Sequence, residues 1–164
     1  KQGGVESEEL VLNDLADWLQ DSWETDVRYV FGPGSTLHGL AQNLGLQTTL
    51  LGVDVIENGQ LLACDVTEAQ LFELIDGHPA RLLVTAIGGQ GHIIGRGNQQ
   101  ISPRVLRAIG LEHLRVVATK RKLGTLEGRP LLVDSGDVAL DDAFPDVVRV
   151  WAGYKEELLY PVGK

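Results

Sequence analysis

The sequence predicts an α/β domain with a mainly parallel central sheet, short helices on its faces and antiparallel strands toward the C-terminus. Strand-like runs alternate with short helix-like runs along the chain, and several strand runs are apolar on both faces, as in a covered parallel sheet. The length, 164 residues, suits one domain spanning 1–164.

From about Glu6 to Trp23 the residues Val11, Leu12, Leu15, Leu19 and Trp23 recur at three- and four-residue steps, one buried stripe of a helix. Glu6, Glu8 and Glu9 stand at its start, where carboxylates complement the positive end of the dipole. Val27 to Phe31 is a short apolar strand, broken by Gly32-Pro33-Gly34-Ser35-Thr36 before a helix from Leu37 to Leu44 that Gly45 ends. Thr48 to Ile56 is β-branched and apolar, a buried strand. Asn58-Gly59 then turns the chain into its hairpin partner, Gln60 to Val66.

Thr67 with Gln70 forms a capping-box pattern opening a helix through Ile75, closed by Gly77. Arg81 to Ile87 is the next strand, and Gly88 to Ile101 a long loop. Ser102 as N-cap, Pro103 in the first turn and Gly110 past the end mark the following helix. Leu114 to Thr119 is a strand, Lys120 to Leu126 a short helix or turn and Pro130 to Val133 a strand. Asp134-Ser135-Gly136-Asp137 is a loop, and Val147 to Trp151 and Leu158 to Val162 are the final strands.

A net charge of −9 argues against non-specific nucleic-acid binding, which needs a basic face. No apolar run is long enough to span a membrane, and no signal-peptide pattern opens the sequence. The single cysteine, Cys64, cannot staple the fold internally, which fits a reducing, cytoplasmic setting. The first residue is Lys1 and there is no methionine, which predicts a piece of a longer protein.

Chemistry is expected at three glycine-bearing loops that follow strands, because ligands of α/β folds bind at the strand C-termini. Gly32, Gly34, Ser35 and Thr36 combine close backbone approach, hydroxyl donors and a helix N-terminus, which suits a phosphate or another anion. The plainer alternative is a tight strand-to-helix turn capped by Ser35. The second loop interleaves Gly88, Gly89, Gln90 and Gly91 with His92, Arg96, Asn98, Gln99 and Gln100. Arg96 could grip a phosphate or carboxylate, and the amides could read a base or ribose edge. The alternative is a glycine-rich crossover whose polar groups satisfy buried backbone.

The third region joins Thr119-Lys120-Arg121-Lys122, a basic triplet that would attract a phosphorylated ligand, to Asp134 and Asp137. These carboxylates could hold a divalent cation or a ribose hydroxyl, or only shape a turn. Asp54 is a further strand-end carboxylate. No nucleophile elbow, zinc signature or metal-spaced histidine set occurs.

Gly32-Pro33-Gly34-Ser35-Thr36, Leu50-Leu51-Gly52-Val53-Asp54, Gly88-Gly89-Gln90-Gly91, and Gly95-Arg96-Gly97-Asn98-Gln99-Gln100-Ile101-Ser102-Pro103 together resemble the predicted ATP-NAD kinases of the AcoX type. Ala118-Thr119-Lys120, Leu132 to Asp137 and Gly153-Tyr154 fit the same pattern, so the resemblance covers essentially the whole chain in order. Even Lys1-Gln2-Gly3-Gly4 is similar to an internal stretch of that family.

The resemblance implies phosphoryl transfer from ATP to the 2′-hydroxyl of NAD with a divalent metal, Mg2+. NAD kinases carry a Gly-Gly-Asp-Gly loop in their N-terminal half. Here the similar tetrad has Gln90, which cannot act as a base at neutral pH. The chain therefore resembles the C-terminal domain, and the partners implied are a nucleotide, an N-terminal domain of the same protein and further copies of the chain.

On that expectation Gly34, Ser35 and Thr36 cradle a phosphate, and Arg96 and Lys120 neutralise charge. Asn98 and Gln99 orient base or ribose, and Asp134 or Asp137 serves the metal or a hydroxyl. A non-catalytic module sensing a nucleotide or CoA compound is the alternative, as is a relative of sugar-phosphate isomerases or CoA-transferases.

Overall fold

The computed structural model describes residues 3–164, with side chains from Glu8 onward. Lys1 and Gln2, and the side chain of Glu6 expected at the first helix start, lie outside the described residues.

Helix α1 (Gly3–Asp21) is followed by β1 (Arg28–Phe31), α2 (Ser35–Asn43) and the hairpin β2 (Asp54–Glu57) and β3 (Gln60–Ala63). Then come α3 (Glu68–Ile75), β4 (Ala80–Val84), β5 (His92–Ile94), α4 (Pro103–Ile109) and β6 (Leu114–Val117). The chain continues through α5 (Lys120–Gly124), β7 (Leu131–Val133), α6 (Val138–Ala143), β8 (Val147–Gly153) and β9 (Glu156–Gly163). The strands form one sheet in the order β3-β2-β1-β4-β6-β8-β9-β7-β5.

The pairs β1–β4, β4–β6, β6–β8, β7–β9 and β5–β7 are parallel, which gives the mainly parallel α/β sheet that the alternation of elements predicts. The long β8–β9 ladder supplies the antiparallel pairing near the C-terminus. A second antiparallel set, β1–β2–β3, closes the opposite edge.

Burial sorts the helices onto two faces. On one, α1 and α2 pack around Leu15, Leu19, Phe31, Leu37, Leu40 and Trp151, with Trp18 stacked on Trp151 at 4.0 Å between ring centroids. On the other, α3 and α4 contribute Leu71, Ile75, Val105 and Leu106 to a larger core that includes Val30, Leu82, Val84 and Val116. Ile93 and Ile94 of β5 belong to this larger core. Ile87, just beyond β4, bridges antiparallel to His92 of β5. The last strand in the order thus comes round against the chain leaving β4, and the sheet curls over its own core.

Local chemistry fixes the helix ends as expected. Thr67 Oγ1 accepts from Gln70 N at 3.2 Å and Gln70 Oε1 accepts from Thr67 N at 2.9 Å, a complete capping box. Ser102 caps α4, and its hydroxyl donates to Glu68 at 2.6 Å. Arg104 Nε and Nη2 also donate to Glu68, at 2.6 and 2.7 Å, so one carboxylate ties the starts of α3 and α4 together.

The Arg104 and Ser102 hydrogen bonds hold the Glu68 carboxyl at about 2, down from 4.5. A carboxyl depressed on folding contributes stability above its unfolded value and loses it as pH falls through the folded value. The stability difference between wild type and Glu68→Gln should therefore be constant above about pH 4.5 and shrink toward pH 2. Melting curves of both proteins across that window check it. A difference that does not change with pH would show that the carboxylate charge is idle.

Three segments differ from the sequence expectation. Of the run from Thr48 to Ile56 only Asp54 to Ile56 is strand, because the Asp54 carboxylate captures local backbone and holds Thr48 to Val53 as a loop. The glycine-rich stretch expected as loop contains buried β5. Helix α6 follows the Asp134 to Asp137 loop where none was expected, with Asp137 as its N-cap.

Candidate functional site

The parallel strands β1, β4, β6 and β8 run the same way, so their C-terminal ends share one rim. Gly32-Pro33-Gly34 leaves β1 there and enters α2. Thr85 leaves β4, and Ala118-Thr119 leaves β6 into α5. Thr36, Thr85 and Thr119 are all buried, an unusual concentration of hydroxyls at one sheet edge.

Thr119 Oγ1 accepts from Lys122 N at 3.1 Å and so starts α5. One helical turn carries Lys122 inward, where its Nζ lies 3.5 Å from Thr36 Oγ1 on α2. That spacing is at the outer limit of a hydrogen bond, so most of the ammonium's donor capacity is unused. Burial pushes the Lys122 pKa below its ordinary value, a cost that an anion would offset.

Its two neighbours are treated differently. Lys120 pairs with Glu156, and Arg121 Nη1 lies 3.8 Å from Glu8. Lys122 has no ion-pair partner among the described residues.

The start of α2 faces the same region. Its N-cap is Gly34, and no side chain caps it, so the first-turn N–H groups have no side-chain acceptor. A Cβ on Gly34 would fall 2.9 Å from the Thr85 methyl, which places Thr85 directly beside the turn. The Thr85 hydroxyl is buried and has no hydrogen-bond partner among the described residues. Such a group costs stability unless something else satisfies it. An uncapped helix start, a half-buried ammonium that Glu8 attracts only from a distance and a hydroxyl unpartnered among the described residues together suit an anion with several acceptor oxygens.

The structure thus brings Gly32, Gly34, Ser35 and Thr36 to the rim, with Ser35 exposed and Gly32 packed by its own N–H onto Leu83 O at 2.9 Å. Thr85 and Lys122 complete the arrangement: Lys122 belongs to the basic triplet expected to attract a phosphorylated ligand, whereas Thr85 is not indicated by the sequence. The signal for Lys122 is its charge within that triplet; which of the three cations turns toward α2 is set by the packing. A lone threonine ending an apolar strand carries none.

Asp54 is a correction. Its buried carboxylate accepts from Thr49 N at 2.9 Å, Thr49 Oγ1 at 3.0 Å and Asp65 N at 2.9 Å, so it fixes a loop and cannot reach a ligand. Asn98 is another. It is fully buried, its Oδ1 accepts from Gly95 N at 2.8 Å and its Nδ2 donates to Ile93 O at 3.0 Å. Both ends of the amide hold the β5 turn, leaving nothing to read a base or ribose.

Lys120 is exposed and engaged with Glu156 rather than turned to the rim. In the glycine-rich stretch, the place for a Cβ on Gly91 is taken by Leu126 at 2.9 Å, so packing accounts for that glycine. Gly89 and Gln90 form an exposed turn, and Gln99 Nε2 lies 3.3 Å from Gly95 O. Arg96 is exposed, with its Nη1 3.5 Å from where a Gly88 Cβ would be.

The divalent-cation expectation for Asp134 and Asp137 does not fit their surroundings. Asp137 Oδ1 accepts from Leu140 N at 3.1 Å, and Oδ2 accepts from Arg107 Nη2 at 2.8 Å, a pairing that lowers its pKa. Both oxygens serve the cap and ion pair of α6, and Asp134 is left as one exposed carboxylate. Among the described residues no three His, Cys, Asp or Glu side chains converge as a cation site. No helix among them is long and apolar enough to cross a membrane.

The family model described as ATP-NAD kinase C-terminal domain matches residues 24–162, most of the chain and every part of this rim. No curated protein and no solved structure shows a significant match.

Proposed function

Since the chain belongs to the ATP-NAD kinase C-terminal domain family, we propose that it is the nucleotide-binding domain of an NAD kinase-like phosphotransferase. In this reading its reaction is phosphoryl transfer from ATP to the 2′-hydroxyl of NAD, and the likeness of its glycine loops to the AcoX type supports that subtype. The observation supporting this is Lys122: a half-buried ammonium with no direct ion pair among the described residues, 3.5 Å from Thr36 Oγ1 beside the uncapped start of α2.

In this reading the α2 start and Lys122 hold phosphate oxygens, and the Thr85 hydroxyl donates into the same cluster. Their contribution is positioning and charge stabilisation, which dominate phosphoryl transfer. Lys122, Thr36 and Thr85 include no general base for the acceptor hydroxyl. We assign that role to a Gly-Gly-Asp-Gly segment in an N-terminal domain of the same protein. The oxygens of Asp137 are already taken up by the α6 N-cap and by Arg107, which does not suit a divalent cation.

Calorimetric titration with ATP, NAD and inorganic pyrophosphate tests the assignment. Micromolar binding of at least one nucleotide, with pyrophosphate competing for it, is the expected result. Nucleotide binding that pyrophosphate leaves untouched would remove the phosphate from this rim. Arg96 is assigned a weaker role, as an exposed cation that meets phosphate from outside. Arg96→Ala should therefore weaken nucleotide binding by a few-fold and leave the melting temperature nearly unchanged, because the side chain is exposed. A large fall in melting temperature would instead make Arg96 structural.

A further inference from the structure

We propose that Leu50 and Leu51 form an apolar shelf that receives the planar base of the nucleotide whose phosphates lie at the α2 start. The proposal rests on the phosphate assignment above and adds the element that tells a nucleotide from a bare phosphate or a sugar phosphate.

The shelf is fastened to the anion site on two sides. Gly34 N, at the head of α2, donates to Leu50 O at 2.9 Å. His38 Nδ1, one turn along the same helix, lies 3.3 Å from Thr48 Oγ1. The segment from Thr48 to Leu50 therefore runs beside the first turn of α2 and is bonded to Gly34, whose Cβ position lies 2.9 Å from the Thr85 methyl.

The segment is also held rigid from behind. Asp54 accepts from Thr49 N and Thr49 Oγ1, and a Cβ on Gly52 would fall 2.5 Å from Asp65 Oδ1 and 2.6 Å from Thr49 Oγ1. Despite that anchoring Leu50 is 47% and Leu51 79% exposed. One exposed leucine is ordinary, but two in succession on a loop clamped by a buried carboxylate are kept in water by construction. An apolar surface joined by a hydrogen bond to an anion site matches a ligand that is planar and apolar at one end and anionic at the other. A nucleoside diphosphate moiety is such a ligand.

Two probes separate the parts: ADP, with base and diphosphate, and inorganic pyrophosphate, with the anion alone. Wild type should bind ADP more tightly than pyrophosphate. Leu51→Ser should weaken ADP by about fivefold to tenfold and leave pyrophosphate unchanged, as expected for losing one partly covered leucine. Leu51→Met, which keeps the apolar surface, should retain ADP affinity. ADP affinity unchanged in Leu51→Ser, or an equal loss for both probes, would overturn the shelf while the anion site stands. Failure of wild type to bind either probe would overturn the anion site, and the shelf with it.

Discussion

Lys122→Ala should weaken binding of pyrophosphate and of nucleotides by about tenfold to a hundredfold, the loss of one charge-assisted contact of about 1.5–3 kcal/mol. The same substitution should leave the melting temperature unchanged or slightly raised. Lys122 is half-buried, is 3.5 Å from Thr36 Oγ1 and has no ion-pair partner among the described residues, so removing it relieves a desolvated charge. A structural lysine behaves in the opposite way, with stability falling and affinity following only through unfolding.

Calorimetry for affinity and a thermal melt for stability distinguish the two. Equal affinity in both proteins, or a drop of many degrees in the variant, would end the anion-site assignment. Affinity should also depend on pH with a definite sign. Burial lowers the Lys122 pKa, so the ammonium discharges at lower pH than an ordinary lysine, and anion affinity should begin to fall below 10.5 on the alkaline side. Lys122→Ala should remove that dependence.

The second large effect is on stability. Gly95→Ala should destabilise the fold by about 4 kcal/mol, near the upper end for a single substitution. Gly95 has φ 97°, and a Cβ there would sit 2.0 Å from the Asp134 carbonyl oxygen and 2.8 Å from its carbonyl carbon. Both obstacles are backbone, and Asp134 N also donates to Ile94 O at 3.1 Å, so relief means opening the β5–β7 junction. Strain at a positive φ adds about 1–2 kcal/mol. At this chain length the sum is a fall of about 10 °C in melting temperature. Gly97 is the matched control: its φ is 74°, but nothing lies within 4 Å of its Cβ position, so Gly97→Ala should cost only the backbone strain. Similar melting temperatures for the two variants would mean that the close approach at Gly95 has no energetic weight.

Gly95 also shows what the sequence could and could not disclose. Alternating elements, the Thr67–Gln70 box, the Ser102-Pro103 start and the Asn58-Gly59 hairpin are local signals, and each stands where its residues indicate. The glycines from Gly88 to Gly97 pointed to a ligand lying against bare main chain. At Gly91 and Gly95 it is instead other parts of the same chain, Leu126 and Asp134, that come close. A glycine admits any near neighbour, and nothing local in the sequence says whether that neighbour is a ligand or the protein itself. Asp54 and Asn98 were ambiguous for the same reason, since a buried carboxylate or amide looks like a ligand contact until its long-range partners are known. At the rim, Gly34 and Thr36 were legible because a helix start is a local pattern. Thr85 and Lys122 join them only through pairing of β1 with β4 and of β4 with β6, which spacing does not reveal.

The curl of the sheet has a consequence for the order of events during synthesis. Strand β5 pairs with β7, which follows it by two helices and a strand and pairs in turn with residues Val162 and Gly163. Ile93 and Ile94 must therefore wait for β7, and β7 for β9, before their lasting strand neighbours are all in place. Until then a nascent chain has two isoleucines and an unmatched hydrogen-bonding edge on display, a state that invites chaperone capture.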